Sequence, residues 1–220
     1  TVTLPAAVNW QSGSSVTIAG CSQTQYNGTF VINVTSTTTF TFAVTGTPAT
    51  PATGTITAKG GRTTVPGIVY LDGYFFVMDQ NGVIYNCALG DPTSWNALDF
   101  ITANIEPGSG VAIAKAQNYI IALKPWSTEF FYDAGNAVGS PLSPVMNAFT
   151  LIGCASGDSV ANIDGTIAWV SKTRQKGRAV HIMAGLDQQK VSTPDIERIL
   201  NADTMENVYS YGVKISGHTF

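Results

Sequence analysis

Apolar and polar residues follow two rhythms along this chain, and the change of rhythm divides it. Before residue 59 they alternate singly: Ser15-Val16-Thr17-Ile18-Ala19, Thr29-Phe30-Val31-Ile32-Asn33-Val34 and Thr39-Phe40-Thr41-Phe42-Ala43-Val44-Thr45, with a fourth short run from Thr53 to Ala58. A period of two marks strands with one covered and one solvated face. Threonine, whose branched Cβ favours extended backbone, fills many of the polar positions. Asn27-Gly28 and the stretch from Gly46 to Pro51 separate the runs as turns. The pattern predicts a small antiparallel β-sandwich. Beyond residue 61 apolar residues come in unbroken runs instead, as in Phe75 to Met78 and Tyr119 to Leu123. Such strands are expected to be covered on both faces.

These unbroken runs recur. Asp72-Gly73-Tyr74-Phe75-Phe76-Val77 is echoed by Gln117-Asn118-Tyr119-Ile120-Ile121-Ala122, by Asp164-Gly165-Thr166-Ile167-Ala168-Trp169 and by an opening at Ser216-Gly217-His218, with spacings of 45, 47 and 52. Each full copy has a second turn, at Asn81-Gly82, Trp126-Ser127 and Lys176-Gly177, leading into Val83-Ile84-Tyr85, Phe130-Phe131-Tyr132 and Ala179 to Met183. A hairpin repeat with a period near 50 is the signature of propeller blades, which pack on neighbours through both faces. The fold class is therefore all-β: a partial β-propeller of about three blades, plus the sandwich. Propellers close with four to eight blades. Together with Thr1 standing where an initiating methionine would, this leads us to expect a piece of a longer protein. One helix is predicted, roughly Pro194 to Ala202. Ser192-Thr193-Pro194-Asp195 starts it, and Ile196, Ile199 and Leu200 share a face suited to covering a blade edge.

Composition sharpens the division. The first 58 residues hold sixteen threonines and no Lys, Arg, Asp or Glu; the first charge is Lys59, followed by Gly60-Gly61. We therefore expect residues 1–59 and 60–220 to be separate domains. Only 11% of the whole chain is charged, against roughly 25% in an average soluble domain. The 44% hydrophobic content excludes a disordered chain. A net charge of −3 argues against gripping nucleic acid by its phosphates. No uncharged apolar run approaches the 18 residues of a membrane-spanning helix, and no basic segment precedes a signal-like core. Cys21, Cys87 and Cys154 are too sparse for a disulfide framework or a zinc site and read as buried free thiols in a reducing compartment.

Candidate chemistry is thin. His181 lies in an apolar strand and His218 in a turn, so a metal cluster or a Ser-His-Asp triad has almost nothing to build on. Gly108-Ser109-Gly110 lacks the third glycine and the Lys-Ser/Thr of a phosphate loop. Glu129 and Asp133 can share a strand face as paired carboxylates, although a turn edge feeding a hairpin accounts for them. Asp91-Pro92-Thr93-Ser94-Trp95 has part of the aspartate-box pattern of sialidase propellers, with the serine and glycine positions unfilled; a proline turn with a tryptophan anchor suffices. Arg174, Lys176 and Arg178 surround a hairpin tip at Gly177, where a solvated turn or a groove for an acidic partner both fit. The sequons at Asn27 and Asn33 matter only in a eukaryotic secretory pathway, and Asn27-Gly28 reads better as a turn. We assign no catalytic, cofactor-binding or metal-binding residue.

A resemblance adds what the residues alone do not give. Asp72 to Val77, Asp91 to Phe100, Ala103-Asn104-Ile105-Glu106-Pro107, Ser127 to Gly135, Ile152-Gly153-Cys154-Ala155, Ser159-Val160-Ala161 and Ser192 to Glu197 form an ordered series. Over residues 61–220 this series resembles the packaged-DNA stabilisation proteins of short-tailed bacteriophages, the hub or nozzle of the tail. Residues 1–58 resemble threonine-rich immunoglobulin-like inserts of phage structural proteins, through Tyr26-Asn27-Gly28-Thr29-Phe30 and Ala52-Thr53-Gly54-Thr55-Ile56. The resemblance implies a structural virion protein and not an enzyme, made in the host bacterial cytoplasm and sited in the tail. It implies a homohexameric ring below the portal adaptor that retains the genome and carries the needle and the fibres or spikes. A neutral or acidic channel lining would let DNA slide through without sequence-specific binding.

Two other functions compete. Trp10, Trp95 and Trp126, with few charges nearby, suit a receptor- or glycan-binding tail module, unless they pack within the fold. A glycan-degrading propeller would need carboxylates converging on the propeller axis.

Overall fold

A computed structural model describes residues 1–8, 10, 12–60, 64–216, 218 and 219. Gly61 at the expected domain boundary and Gly217 of the last repeat lie outside the described residues. The chain is nearly all β and forms two compact units, Thr1–Thr63 and Thr64–Phe220.

In the first unit the strands are β1 (Val2–Thr3), β2 (Ser15–Cys21), β3 (Gly28–Val34), β4 (Thr39–Phe42) and β5 (Gly54–Gly60). They form one open, curled antiparallel sheet in the order β1-β4-β3-β2-β5. The single alternation of β2 turns Val16 and Ile18 inward, and a bulge after Ala19 brings Cys21 to the same side, where they meet Ile32 and Phe40. Burying side chains of this size contributes about 1.5–3 kcal/mol each. Trp10 stands edge-on to Phe40 at 5.5 Å between ring centroids. The Asn27 side chain accepts from Cys21 N–H (2.9 Å) and donates to Cys21 C=O (2.8 Å), tying the entry of β3 to the end of β2. A bulge at Gly20 faces Gly54; a Cβ on Gly20 would fall 2.0 Å from the Thr55 carbonyl oxygen, so only glycine fits.

The second unit contains three successive antiparallel sheets. Blade I runs β6 (Val69–Leu71), β7 (Tyr74–Met78), β8 (Val83–Ala88) and β9 (Asp91–Thr102). Blade II runs β10 (Ala112–Ala116), β11 (Tyr119–Leu123), β12 (Thr128–Asp133) and β13 (Leu142–Pro144). In blade III, β14 (Gly153–Cys154) and β15 (Ala161–Ile163) both pair with β16 (Thr166–Thr173), followed by β17 (Gly177–Ala184) and β18 (Asp187–Lys190). The helix α1 (Pro194–Ala202) and a final hairpin, β19 (Lys214–Ile215) and β20 (His218–Thr219), complete the unit.

The sequence repeat is a repeat of tight hairpins. Leu71 pairs with Tyr74, Ala116 with Tyr119, Ile163 with Thr166 and Ile215 with His218, which leaves two residues in each turn. The first turn residue is left-handed each time: Asp72 (φ 47°), Gln117 (53°), Asp164 (45°) and Ser216 (51°). Two-residue turns of this hand match the twist of the strands they join.

Blade II explains the unbroken apolar runs. Its Ile113, Ile120, Ala122 and Phe131 pack against Phe76, Met78 and Ile84 of blade I. Its Ala114, Ile121, Leu123 and Phe130 pack on the other face against Ile167, Trp169 and Met183 of blade III. Blade III alternates instead: Ile167, Trp169 and Ser171 are buried, while Ala168, Val170 and Lys172 between them are half-exposed. Helix α1 has the expected bounds and sits against β17. Its Ile196 and Ile199 are exposed, however, because the helix contacts the blade beside its apolar stripe. Thr193 makes no side-chain cap; Ser192 accepts from Val180 N–H and donates to Glu197.

Candidate functional site

The hairpin repeat places one polar pair at the same point in every blade. Seven residues after each left-handed turn residue stand Asp79, Lys124 and Ser171. Five residues after it stand Val77, Ala122 and Trp169, whose cross-strand partners are Tyr85, Glu129 and His181. All six polar-bearing residues are buried. Strand alternation directs the pairs of blades II and III toward the preceding blade. Buried polar groups need partners, and the three blades handle that need differently.

In blade I the Asp79 carboxylate accepts from the backbone N–H groups of Asn81 (2.8 Å) and Val83 (3.0 Å), and from the Tyr85 hydroxyl (3.4 Å). Blade II holds an ion pair, Lys124 Nζ to Glu129 Oε1 at 3.5 Å, with 2% and 1% of the side chains exposed. Lys124 also donates to the carbonyls of Ala103 (2.8 Å) and Glu106, and Glu129 accepts from the N–H groups of Ile105 (3.2 Å) and Glu106 (3.5 Å). The ammonium group thus donates to two carbonyls and faces one carboxylate. The network fastens the segment leaving β9 to blade II.

Blade III has no such closure. Ser171 donates across its own hairpin to the Ala179 carbonyl (2.9 Å), and His181 Nδ1, in a residue 7% exposed, has no hydrogen-bond partner. Burial pushes the His181 imidazolium below its ordinary range, nearby Lys190 pushes the same way, and Glu197 opposes both. The ring is therefore neutral at pH 7. Lys190 lies 2.8 Å from Glu197 and, with Ser192, holds that carboxyl below the usual carboxylate range.

Clefts open at both junctions. The one between blades I and II has a volume of about 620 Å³ and walls that include Phe100, Ile105, Met146 and Phe149, with Glu129 beside them. The one between blades II and III has a volume of about 670 Å³. Trp126, Ile152, Ser171 and His181 contribute to its walls, as do the charged Arg174 and Lys190. Size does not distinguish the clefts; chemistry does. Lys172 Nζ lies 4.2 Å from the Trp126 ring centroid, and Arg174 meets Glu106 at 3.5 Å.

The structure separates the other residues singled out by sequence. Glu129 is neutralised by Lys124, while Asp133 accepts from Gly135 N–H at 2.8 Å, so they do not act as a carboxylate pair. Asp91 accepts from the Thr93 hydroxyl and N–H, which holds its carboxyl below the usual range; Trp95 Nε1 donates to Pro92 C=O at 2.8 Å. This stretch lies within β9, an edge strand that tolerates its proline. Arg178 donates to the carbonyls of Leu200 and Asp203 and caps α1, leaving Arg174 and Lys176 at the cleft. Trp10 is packed in the first unit, Trp126 lines a cleft and Trp95 remains 42% exposed. Cys21, Cys87 and Cys154 are free and buried, and burial pushes the Cys154 thiol up to about 11. His218 lies in β20. Among the described residues no group of three or more His, Cys, Asp or Glu could hold a metal ion, and no helix is long and apolar enough to cross a membrane. Sequence reasoning missed Lys124, although its offset of seven from Gln117, shared by Asp79 and Ser171, was an available signal.

Stacked antiparallel sheets, two of four strands and one of five, define the β-propeller class of fold. The family model described as "Bacteriophage P22 Gp10, beta-propeller" matches residues 9–219, and the chain belongs to that family of phage DNA-stabilisation and tail-hub proteins. The match includes most of the threonine-rich unit. No curated protein sequence matches the chain.

Proposed function

We propose that this protein is part of a bacteriophage tail hub, where a ring of copies closes the portal channel, holds the packaged DNA in place and carries the distal tail parts. The observation that supports this reading most, beside family membership, is the unequal covering of the blades. Blade II is sealed on both faces, while Tyr70, Phe75 and Val77 of blade I, and Ala168, Val170, Val180 and Ile182 of blade III, are partly or fully exposed. Surfaces of this kind suit a protein that works by packing against neighbours. The ring is a homohexamer in this proposal, meeting the portal adaptor above and the needle and fibres or spikes below. In the same proposal residues 1–59 are an immunoglobulin-like insert and residues 60–220 are the propeller blades. The protein has no catalytic role in this reading, and genome passage needs no sequence-specific contact. Particles assembled without it should package DNA and then lose it, with restoration on adding the purified full-length protein. Empty-to-full particle ratios by sedimentation would read this; unchanged DNA retention in its absence would contradict the proposal.

A further inference from the structure

Helix α1 is fastened to blade III by polar contacts and not by a core. No residue of the helix is buried, and among its apolar side chains Leu200 alone is half-buried. Isolated helices shorter than about 12 residues are marginal in water; α1 has nine, so it depends on what ties it down. At its C-terminal end Arg178 donates to the Leu200 carbonyl, and the Asn201 side chain accepts from Arg178 N–H, both at 2.9 Å. At its N-terminal end the ties meet at Glu197. Lys190 Nζ lies 2.8 Å from that carboxylate, and Ser192, which accepts from Val180 N–H, donates to it at 3.0 Å. His181 stands beside this second tie: it is the cross-strand partner of Lys190, is 7% exposed, and has Nδ1 without a partner.

We propose that α1 is a pH-operated latch, in which protonation of His181 breaks the Lys190–Glu197–Ser192 tie and lets the helix lift from β17. The charged groups of the cleft that His181 lines are Lys190, Glu197, Arg174, Lys176 and Glu106. Arg174 is paired with Glu106 and Lys190 with Glu197, so no carboxylate there is free to receive an imidazolium. Nδ1 is closed to water while α1 is seated. Burial and Lys190 both act against the charged ring, and the one group that favours it, Glu197, is the group that holds the helix. The seated state keeps the His181 pKa below the ordinary 6.5, and a hydrated ring in the lifted state regains it. Lifting is therefore insensitive to pH above 6.5 and grows more favourable as pH falls from there to the seated value. Release bares the N–H groups of Arg178 and Val180, which Asn201 and Ser192 cover, and so opens that stretch of the β17 edge. The inference goes beyond the tail-hub reading and does not depend on a ring.

Amide hydrogen exchange of the 220-residue chain between pH 5 and 8 tests this, because histidine is the side chain that ordinarily titrates there and the chain has two, His181 and His218. Glu197, held below the usual carboxylate range, stays ionised throughout. After correction for intrinsic exchange rates, protection of the α1 amides should fall at least ~3-fold from pH 7 to pH 5 in the parent and in His218→Gln, and stay level in His181→Gln. At every pH the α1 amides should exchange at least ~10-fold faster than those of β11, which marks a lifting helix and not global unfolding. Glu197→Gln removes the tie itself and should leave α1 weakly protected already at pH 8, with a flat profile; it takes the place of His181→Gln if that variant does not fold. Level protection of α1 in the parent, an equal fall in His181→Gln, or exchange of α1 and β11 at one common rate would each overturn the proposal.

Discussion

The junction between blades I and II and the junction between blades II and III have similar gaps and opposite chemistry. At the first, Glu129 is locked by Lys124 and by the backbone of residues 105 and 106. At the second, the equivalent position holds His181 with an unpartnered nitrogen, and the position equivalent to Lys124 holds Ser171, which bonds within its own hairpin. One backbone repeat thus supports both a fully paired polar clamp and a buried polar group left without a partner. The difference teaches that function in such a fold is written at a few buried polar positions, while the apolar repeat supplies only the frame.

The largest expected effect breaks the closed junction. Lys124→Met leaves a buried carboxylate uncompensated and should cost about 3–5 kcal/mol in denaturant unfolding. Adding Glu129→Leu should recover most of that loss, because the unpaired charge is then gone. A single variant as stable as the parent would show that the pair does not hold the junction.

Next comes the contrast between a blade covered twice and one covered once. Ile121→Ala empties a fully buried site in blade II and should cost about 2–5 kcal/mol. Val170→Ala, on the half-exposed face of blade III, should cost under about 1.5 kcal/mol in the isolated chain. Equal losses would mean that the outward face of blade III is better covered than described.

A smaller effect concerns pH. The folded His181 pKa lies below the ordinary 6.5, so the unfolded chain binds the proton more readily. The stability contribution of neutral His181 is complete above pH 6.5 and is lost as pH falls through the lowered folded value. Comparing parent with His181→Gln across pH 4–8 should show a shallower acid decline in the variant. Identical profiles would remove His181 as the cause.

The smallest effect leaves stability untouched. Raising the Cys154 thiol from 9.0 to about 11 cuts its thiolate fraction roughly 100-fold, and burial shields it further. A thiol reagent at pH 8 should leave Cys154 unmodified until the chain is unfolded. Rapid labelling of native protein would mean that the second junction opens readily.

Much of the frame was legible in the sequence because it depends on local chemistry. Asp72-Gly73 and Asp164-Gly165 announce left-handed turns, Tyr119 to Leu123 announces a strand covered twice, and Pro194 fixes the helix start. The two-residue β1 carries too little pattern to read, and the Asp91-Pro92 turn proved to be the bulged start of a long edge strand. Helix α1 shows that an apolar stripe is visible in sequence while its cover is not: Ile196 and Ile199 stand exposed. The polar clamp was hidden for another reason. Glu129 invited pairing with Asp133 on its own strand, but its partner Lys124 comes from the turn before that strand. Asp79, Lys124 and Ser171 share a position without sharing chemistry, so comparison by residue type passes over them.

Imaging of the purified virion tail tests the central claim most directly. The account predicts a sixfold ring of this protein on the tail axis, around the channel, with its blades packed against neighbouring protein. A monomer or trimer at the tail periphery would contradict it and return the protein to the class of receptor- or glycan-binding appendages.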